Sequence, residues 1–296
     1  MGTKRAVFIG LTTIDIIYLV DKVPQSNEKL LSNTQTIVSG GPVTNAAVVY
    51  SWMGGDVSLA TVLGQHPLTA IPREEFLEYH IDHMDLWPEI KDVPALASVM
   101  ITERTGDRAV VSLNGQRFQA LPERFDCHVL DGCNGLLVDG HQMAVSIRAA
   151  QYARSRGIPV VFDGGSWKPR TEELLPYVDY ALCSEQFFPP GCANGTDVFD
   201  YLSFYKIPYR AITRGERSLL YQHNGSEDEI RLVSSLPVVD TLGAGDFFHG
   251  AFLFYLLNRR GDFPTFLEKA TQIAAFSCSY FGTREWLKHY NSTMNA

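Results

Sequence analysis

Basic residues are in short supply: 25 Lys and Arg stand against 33 Asp and Glu in 296 residues, a formal net charge of −8. Charge of that sign repels phosphodiester backbones and anionic lipid headgroups, so neither nucleic acid nor membrane is expected as a partner. Cysteine is sparse too. Cys127, Cys133, Cys183, Cys192 and Cys278 are odd in number and include no Cys-x-x-Cys pair, which fits neither a disulfide framework nor a zinc ribbon and points to a reducing, cytoplasmic setting. Long apolar runs are missing. The first one meets Gly10, Thr12, Thr13 and Asp15 before a signal-peptide core is complete. Phe247 to Leu257 contains His249 and falls short of the roughly 20 residues a membrane span needs. No Gly-x-x-x-x-Gly-Lys-Ser/Thr phosphate loop occurs, and no dinucleotide fingerprint follows the first strand. The sequons at Asn194, Asn224 and Asn291 are read as chance, since nothing else points to secretion.

What is present suffices for a core: 45% of the residues are hydrophobic and 20% charged, ordinary globular usage. Length alone suggests about two domains at roughly 150 residues each, but the pattern along the chain reads as one. Arg5 to Leu11 is a buried strand, and Ile16 to Val20 and Leu30 to Val38 are further extended segments. Ser39-Gly40-Gly41-Pro42 then turns the chain into a helix that Thr44 or a neighbour can cap and Gly54-Gly55 can end. A strand at Val57 to Val62, a helix within Pro72 to His80, and a hairpin of LASVMI and RAVVSL around Gly106 follow. From Gly135 onward strands alternate with helices, as in GLLVDG, IPVVFDGG, VDYALC and YRAIT, the mark of βαβ units and a parallel sheet. Two helices, about Asp246 to Asn258 and Pro264 to Phe281, close the chain. The expected organisation is one large α/β domain over residues 1–296. A small, noncontiguous β appendage, Ile14 to Val38 plus about Leu96 to Phe118, lies beside it.

The sharpest chemical feature is Asp240-Thr241-Leu242-Gly243-Ala244-Gly245-Asp246, followed at once by the helical run FFHGAFLFYLL. Small residues let backbone amides approach an anion, and the positive end of a helix adds favourable field. A carboxylate there is repelled by the anion unless it caps the helix or takes a proton from an attacking hydroxyl; spacing leaves both open for Asp246 and slightly favours the cap. Other features read as structural. His80, Asp82, His83 and Asp85 form a polar helix-to-loop surface without a third spaced metal ligand. The aromatic runs FFHGAFLFY and FDYLSFYKIPYR lack interleaved basic residues and read as packing surface.

The segment DTLGAGDFFHGA resembles the C-terminal signature of the ribokinase (PfkB) family of carbohydrate and nucleoside kinases. Gly40-Gly41-Pro42-Val43-Thr44-Asn45-Ala46-Ala47 is similar to the family's N-terminal glycine motif, and Asp15 follows the first strand where these kinases hold a sugar hydroxyl. Two motifs in the right order, about 200 residues apart, are far more specific than either alone. The resemblance runs from about Val7 to Gly282. It implies a three-layer α/β/α sandwich with a mostly parallel sheet and a β lid. It also implies transfer of the γ-phosphoryl group of ATP to a sugar hydroxyl with Mg²⁺, and a monovalent cation such as K⁺ as a further cofactor. Asp246 would be the general base and the amides of Gly243, Ala244 and Gly245 the anion hole. Asp15, Gly41 and Asn45 would bind the acceptor. Their structural readings are a turn residue for Asp15 and a helix cap for Asn45. Arg108 in the lid is as much an acceptor contact as a solvated strand arginine, and Asn114 is comparable. Thr213 and Gly215 resemble the turn along the ATP phosphates and ribose, while Gln272 and Cys278 resemble the helix that flanks adenine or are plain helix core. Asp163 would face the metal. Asp139 and His141, at a strand end, are candidate acceptor contacts.

Several positions depart from the family pattern. Ser218 replaces a glycine, Gly64-Gln65-His66-Pro67 replaces a Gly-Asp-Asp segment, and Ser184-Glu185-Gln186-Phe187 replaces the Asn-x-x-Glu magnesium motif. With Lys168-Pro169-Arg170 after FDGGSW, the last of these is similar to the ketohexokinase and sulfofructose kinase branch. A nucleoside kinase of the same fold, or a silent sugar- or nucleotide-binding regulator, are the rival readings. Exposed lid edges make a homodimer through the lid the expected assembly.

Overall fold

Apolar periodicity sorts the chain into two sheets, seen in a computed structural model that describes residues 3–113, 115–231 and 236–290. Asn114 and Asn291 lie outside the described residues. In chain order the elements are β1 (Arg5–Ile9), β2 (Thr13–Val20), β3 (Thr34–Gly40), α1 (Pro42–Trp52), β4 (Asp56–Thr61), α2 (Ala70–Glu78), β5 (Ile81–Asp85), β6 (Leu96–Thr102) and β7 (Arg108–Ser112). There follow β8 (Gly135–Val138), α3 (Met143–Ser155), β9 (Val160–Gly164), α4 (Thr171–Leu174), β10 (Tyr180–Ser184), α5 (Gly195–Phe204), β11 (Tyr209–Arg214), β12 (Arg217–His223), β13 (Ser226–Ile230), α6 (Ala244–Asn258), α7 (Phe263–Ser277) and α8 (Glu285–His289).

Strands with a continuous apolar run, such as β1, β8 and β9, are buried on both faces along that run, as parallel strands covered by helices must be. They lie inside a nine-stranded sheet of order β13-β12-β11-β10-β9-β8-β1-β4-β5. It is parallel from β11 to β5, with Phe8 beside Leu59 and Leu137, and ends in the antiparallel pairs β11/β12 and β12/β13. One face is covered by α1, α2, α6, α7 and α8 around a core that includes Phe8, Tyr50, Phe76, Phe252 and Trp286. The other is covered by α3, α4 and α5 around Phe125, Phe162, Phe187 and Phe199. Strands that alternate, such as β6, build a separate four-stranded sheet of order β3-β2-β6-β7, in which β2 runs antiparallel to β3 and parallel to β6.

Three sequence expectations shift locally. Gly41, not Thr44, caps α1: Pro42 occupies the first turn, where its missing N–H costs nothing, and Gly41 takes φ 95°. The His80 to Asp85 segment is not a helix-to-loop surface, because residues 81–85 pair with β4 as an added parallel strand. Lastly, α8 is short and was not expected; it is held by Trp286, which is fully buried against Phe247 and Trp52.

Candidate active site

The chemistry-bearing residues gather where the parallel strands end at their carboxyl termini, the edge at which open α/β sheets place ligands. Asp139 follows β8, Asp163 is the next-to-last residue of β9, Thr213 sits near the end of β11, and α6 begins just after the Asp240 to Gly243 turn. Gly243 adopts φ 78° as the N-cap of α6, a left-handed conformation that glycine enters without a Cβ clash. The first N–H groups of a helix have no intrahelical acceptor. Ala244 N reaches back to Thr241 O only at 3.4 Å. No side chain caps α6, so Asp246 is not the cap that its spacing slightly favoured. Its Oδ2 instead accepts a hydrogen bond from Asn45 Nδ2 at 2.8 Å, across the α1/α6 packing contact. Burial, and then the Asp163 carboxylate, push the Asp246 carboxyl up to about 7, while the Asn45 bond, His249 and Arg108 oppose the rise. A carboxylate so tuned can both hold and release a proton near neutrality.

Around it the other candidates fall into two groups. Asp15 is buried on β2, accepts a hydrogen bond from Thr13 Oγ1 at 2.6 Å, and has its carboxyl pushed up by burial. Gly41 lies against the backbone: a Cβ there would come within 2.3 Å of Leu11 O. Arg108, at the start of β7, donates from Nη1 to Thr241 O at 3.0 Å, so the small sheet touches the glycine turn. Asp163 is buried with His249 Nδ1 at 3.4 Å from its Oδ2, and that oxygen receives no hydrogen bond. The nucleotide candidates sit on β11, on the turn after it, and on and just after α7. Thr213 Oγ1 donates to Cys183 O at 3.4 Å, Gly215 turns between β11 and β12 with φ 62°, and Gln272 is exposed on α7. Cys278 donates its thiol to Ala274 O, and its carbonyl receives Val239 N at 2.7 Å and Asp240 N at 3.1 Å. Its backbone rather than its side chain thus anchors the glycine turn to α7.

Asp139 is committed elsewhere than to a ligand. Its buried carboxylate accepts Leu11 N at 3.0 Å, His141 N at 2.8 Å and Val43 N at 3.4 Å, pinning the turn after β1 to the start of α1. In the departing segment, Phe187 is core beside Phe162 and Trp167. Glu185 pairs with Arg217. Ser218 Oγ donates to Glu229 and accepts from Arg214, closing the turn with side-chain bonds.

Sequence reasoning missed four residues here. Arg284 donates to Asn45 Oδ1 at 2.9 Å and to Glu75 Oε1 at 2.5 Å. His249, one turn beyond Asp246, bonds Leu182 O at 3.1 Å. Lys168 is buried with Nζ 3.3 Å from Ser166 O. His249 carried a usable signal, its i, i+3 spacing from Asp246 on one helix; Arg284 and Glu75 carried none.

A family model described as pfkB family carbohydrate kinase matches residues 3–289. The chain belongs to that family. It is an ATP-dependent carbohydrate kinase with the ribokinase-like three-layer fold and its added small sheet. The ribokinase of Bacillus subtilis (strain 168) is 25% identical over 95% of both chains. A solved chain from Agrobacterium tumefaciens, provisionally called a ribokinase, superposes with a TM-score of 0.86 at 22% identity over 99% of this chain and 98% of the other. Arabidopsis thaliana ribokinase, solved with ribose and ATP, gives 0.75 at 18% over 97% and 98%. At such identities the structural likenesses speak for the fold alone. Among the described residues no helix is long and apolar enough to cross a membrane.

Proposed function

We propose that this kinase transfers the γ-phosphoryl group of ATP to a primary hydroxyl of a sugar, with Asp246 as general base. The carrying observation is the placement of Asp246: first turn of α6, hydrogen-bonded to Asn45, with its carboxyl raised to about 7. A carboxylate there accepts the hydroxyl proton while the amides of Gly243, Ala244 and Gly245 stabilise charge on the transferring group. Asp15, Gly41, Asn45 and Arg108 line the acceptor side. Thr213, Gly215, Gln272 and Cys278 line the nucleotide side. Among the described residues no three His, Cys, Asp or Glu side chains converge as a metal site, so Mg²⁺ would enter with the nucleotide, held chiefly by phosphate oxygens and water. Asp163 fits the protein's share of that task, since its buried Oδ2 lacks a hydrogen-bond donor. Bound Mg²⁺ would supply charge compensation on the phosphates. The small sheet would act as a lid that excludes water, through contacts such as Arg108 to Thr241. The enzyme would work in the cytoplasm on a small-molecule sugar, with neither nucleic acid nor membrane as a partner.

The relatives' names favour a pentose, whereas Lys168-Pro169-Arg170 and Ser184 favour the ketohexokinase and sulfofructose kinase branch. Mg²⁺-dependent ADP release over pentoses, ketoses, sulfosugars and nucleosides, with Asp246→Asn beside the natural chain, decides among them. One stimulating acceptor, with loss in Asp246→Asn, supports the reading. A nucleoside acceptor moves the enzyme to the nucleoside kinases of this fold. Binding without turnover favours a silent regulator, the reading that the replaced Ser184 to Phe187 motif supports. Exchanging K⁺ for Li⁺ in the same assay tests the monovalent cation.

A further inference from the structure

Asn45 carries one donor end and one acceptor end on its side chain, and a carboxylate partner can use only the donor end. Which end faces Asp246 is decided behind it. Arg284 has only donors, and its Nη1 takes Asn45 Oδ1 at 2.9 Å, leaving Nδ2 to meet Asp246 Oδ2 at 2.8 Å. The guanidinium is itself fixed on every side. Nε donates to Glu75 Oε1 at 2.5 Å, Nη1 also to Thr283 O at 3.1 Å, and Nη2 to Ser39 O at 2.9 Å and Ser39 Oγ at 3.3 Å. Glu75 uses its second oxygen on Ser39 N at 2.7 Å. Both side chains of the Arg284–Glu75 pair are 11% exposed. A buried ion pair is weak evidence for stability, because desolvation offsets most of its attraction. Its geometry here serves something else.

We propose that Arg284, held by Glu75, is a positioning residue that fixes the Asn45 amide with its NH₂ end toward Asp246 and thereby orients the general base. Ser39 is the next-to-last residue of β3, one before Gly40 and the turn at Gly41, so the same guanidinium ties the end of that strand to the base. The other charged or titratable groups near Asp246 are Asp163 from β9, Arg108 from β7 and His249 from α6 itself, while Asp15 from β2 lies near Arg284. None of them sets the orientation of Asn45. The proposal rests on the general-base reading of Asp246 for its catalytic consequence, but not for its structural one.

The structural consequence is tested by crystal structures of the full chain and of Arg284→Met. The Asn45 Nδ2 to Asp246 Oδ2 contact is expected to open beyond about 3.5 Å in the variant; a contact kept unchanged overturns the proposal. The catalytic consequence is read with the sugar that gives turnover in the acceptor panel. Arg284→Met is expected to lower kcat at least about tenfold, as loss of orientation does, with the KM for ATP moved by less than about twofold. In an Asn45→Ala background the same substitution should cost less than about twofold, and Arg284→Lys should recover part of the loss. Equal losses in both backgrounds would show that Arg284 does not act through Asn45. Should Arg284→Met fail to fold, Glu75→Gln, which keeps the volume, is expected to change the same contact and kcat to a smaller degree. Full turnover in Asp246→Asn refutes the base reading and leaves the crystallographic result to judge the link itself.

Discussion

At the scale of single residues, Asp246 as the proposed general base would govern how the site responds to pH. Its carboxyl is raised to about 7, with burial the largest cause, and a general base works only when unprotonated. Hence kcat/KM is expected to fall about tenfold per pH unit below about pH 7, with a plateau above, in a steady-state profile; a profile flat down to pH 5 refutes the assignment. Asp246→Asn is expected to lower kcat by about 10²- to 10⁴-fold. The same shift has a stability consequence of definite sign. A carboxyl whose folded pKa exceeds its unfolded value near 3.9 binds more protons when folded, so its charged form weakens the fold as pH rises through about 7. Asp246→Asn should therefore melt higher than the natural chain at pH 8, by a margin that narrows at pH 5; a lower melting temperature at pH 8 contradicts it. How much of this was legible varies by residue. Asp246 and Asn45 stood in two local motifs, but their hydrogen bond joins positions 201 apart in the chain. Glu75 and Arg284 stand in no motif, and only the packing of α2 and the segment before α8 brings them together. Asp139 looked like a ligand contact at a strand end, because nothing in the sequence reveals that three amides already fill its carboxylate.

At the scale of elements, the Asn45–Asp246 contact depends on how closely α1 and α6 approach. Gly250 lies at their crossing, where a Cβ would come within 2.2 Å of Ala46 O. That neighbour is backbone and cannot swing aside. Gly250→Ala is expected to separate the helices, destabilise the fold by about 1–3 kcal/mol as overpacking does, and reduce kcat out of proportion because Asn45 and Asp246 part. Urea unfolding and kinetics on the same preparation check it; unchanged stability would mean that the helices can shift freely. Helix α7 offers a contrasting case. Exposed Asp262 caps it by accepting Thr265 N at 3.1 Å and Thr265 Oγ1 at 2.5 Å. Asp262→Ala should lower the midpoint of urea unfolding, as loss of a helix cap does, while leaving turnover unchanged. Element boundaries followed the same division in the sequence. Helices and strands with continuous apolar runs were legible. In contrast, β5 was hidden because IDHMD carries three polar residues of five, and only its pairing with β4 makes it a strand.

For the whole molecule, the βαβ alternation after Gly135 announced the parallel sheet, whereas the small sheet had to be assembled from segments some 60 residues apart, which periodicity alone cannot join. That sheet is unevenly covered. One side packs Ile17, Ala97, Val99 and Ile101 against Leu242 and Phe281 of the main body. On its other face Ile37 is 47% exposed and Val111 72%. Its outermost strands, β3 and β7, have no further neighbour in the sheet order. Unpaired strand edges and exposed β-branched side chains are features that proteins usually cover, and a second copy of the same sheet is the cover we propose. Sedimentation velocity should then give a dimer at micromolar concentration. Val111→Lys, which places a charge on this apolar surface, should shift the equilibrium toward monomer while the far-ultraviolet circular dichroism stays unchanged. A monomer for the natural chain, or a Val111→Lys variant as dimeric as its parent, removes the small sheet as the interface. The same experiment bears on the site, because Arg108 on β7 touches the glycine turn: a dimer that braces β7 should lower the KM for the acceptor as protein concentration rises through the dissociation constant.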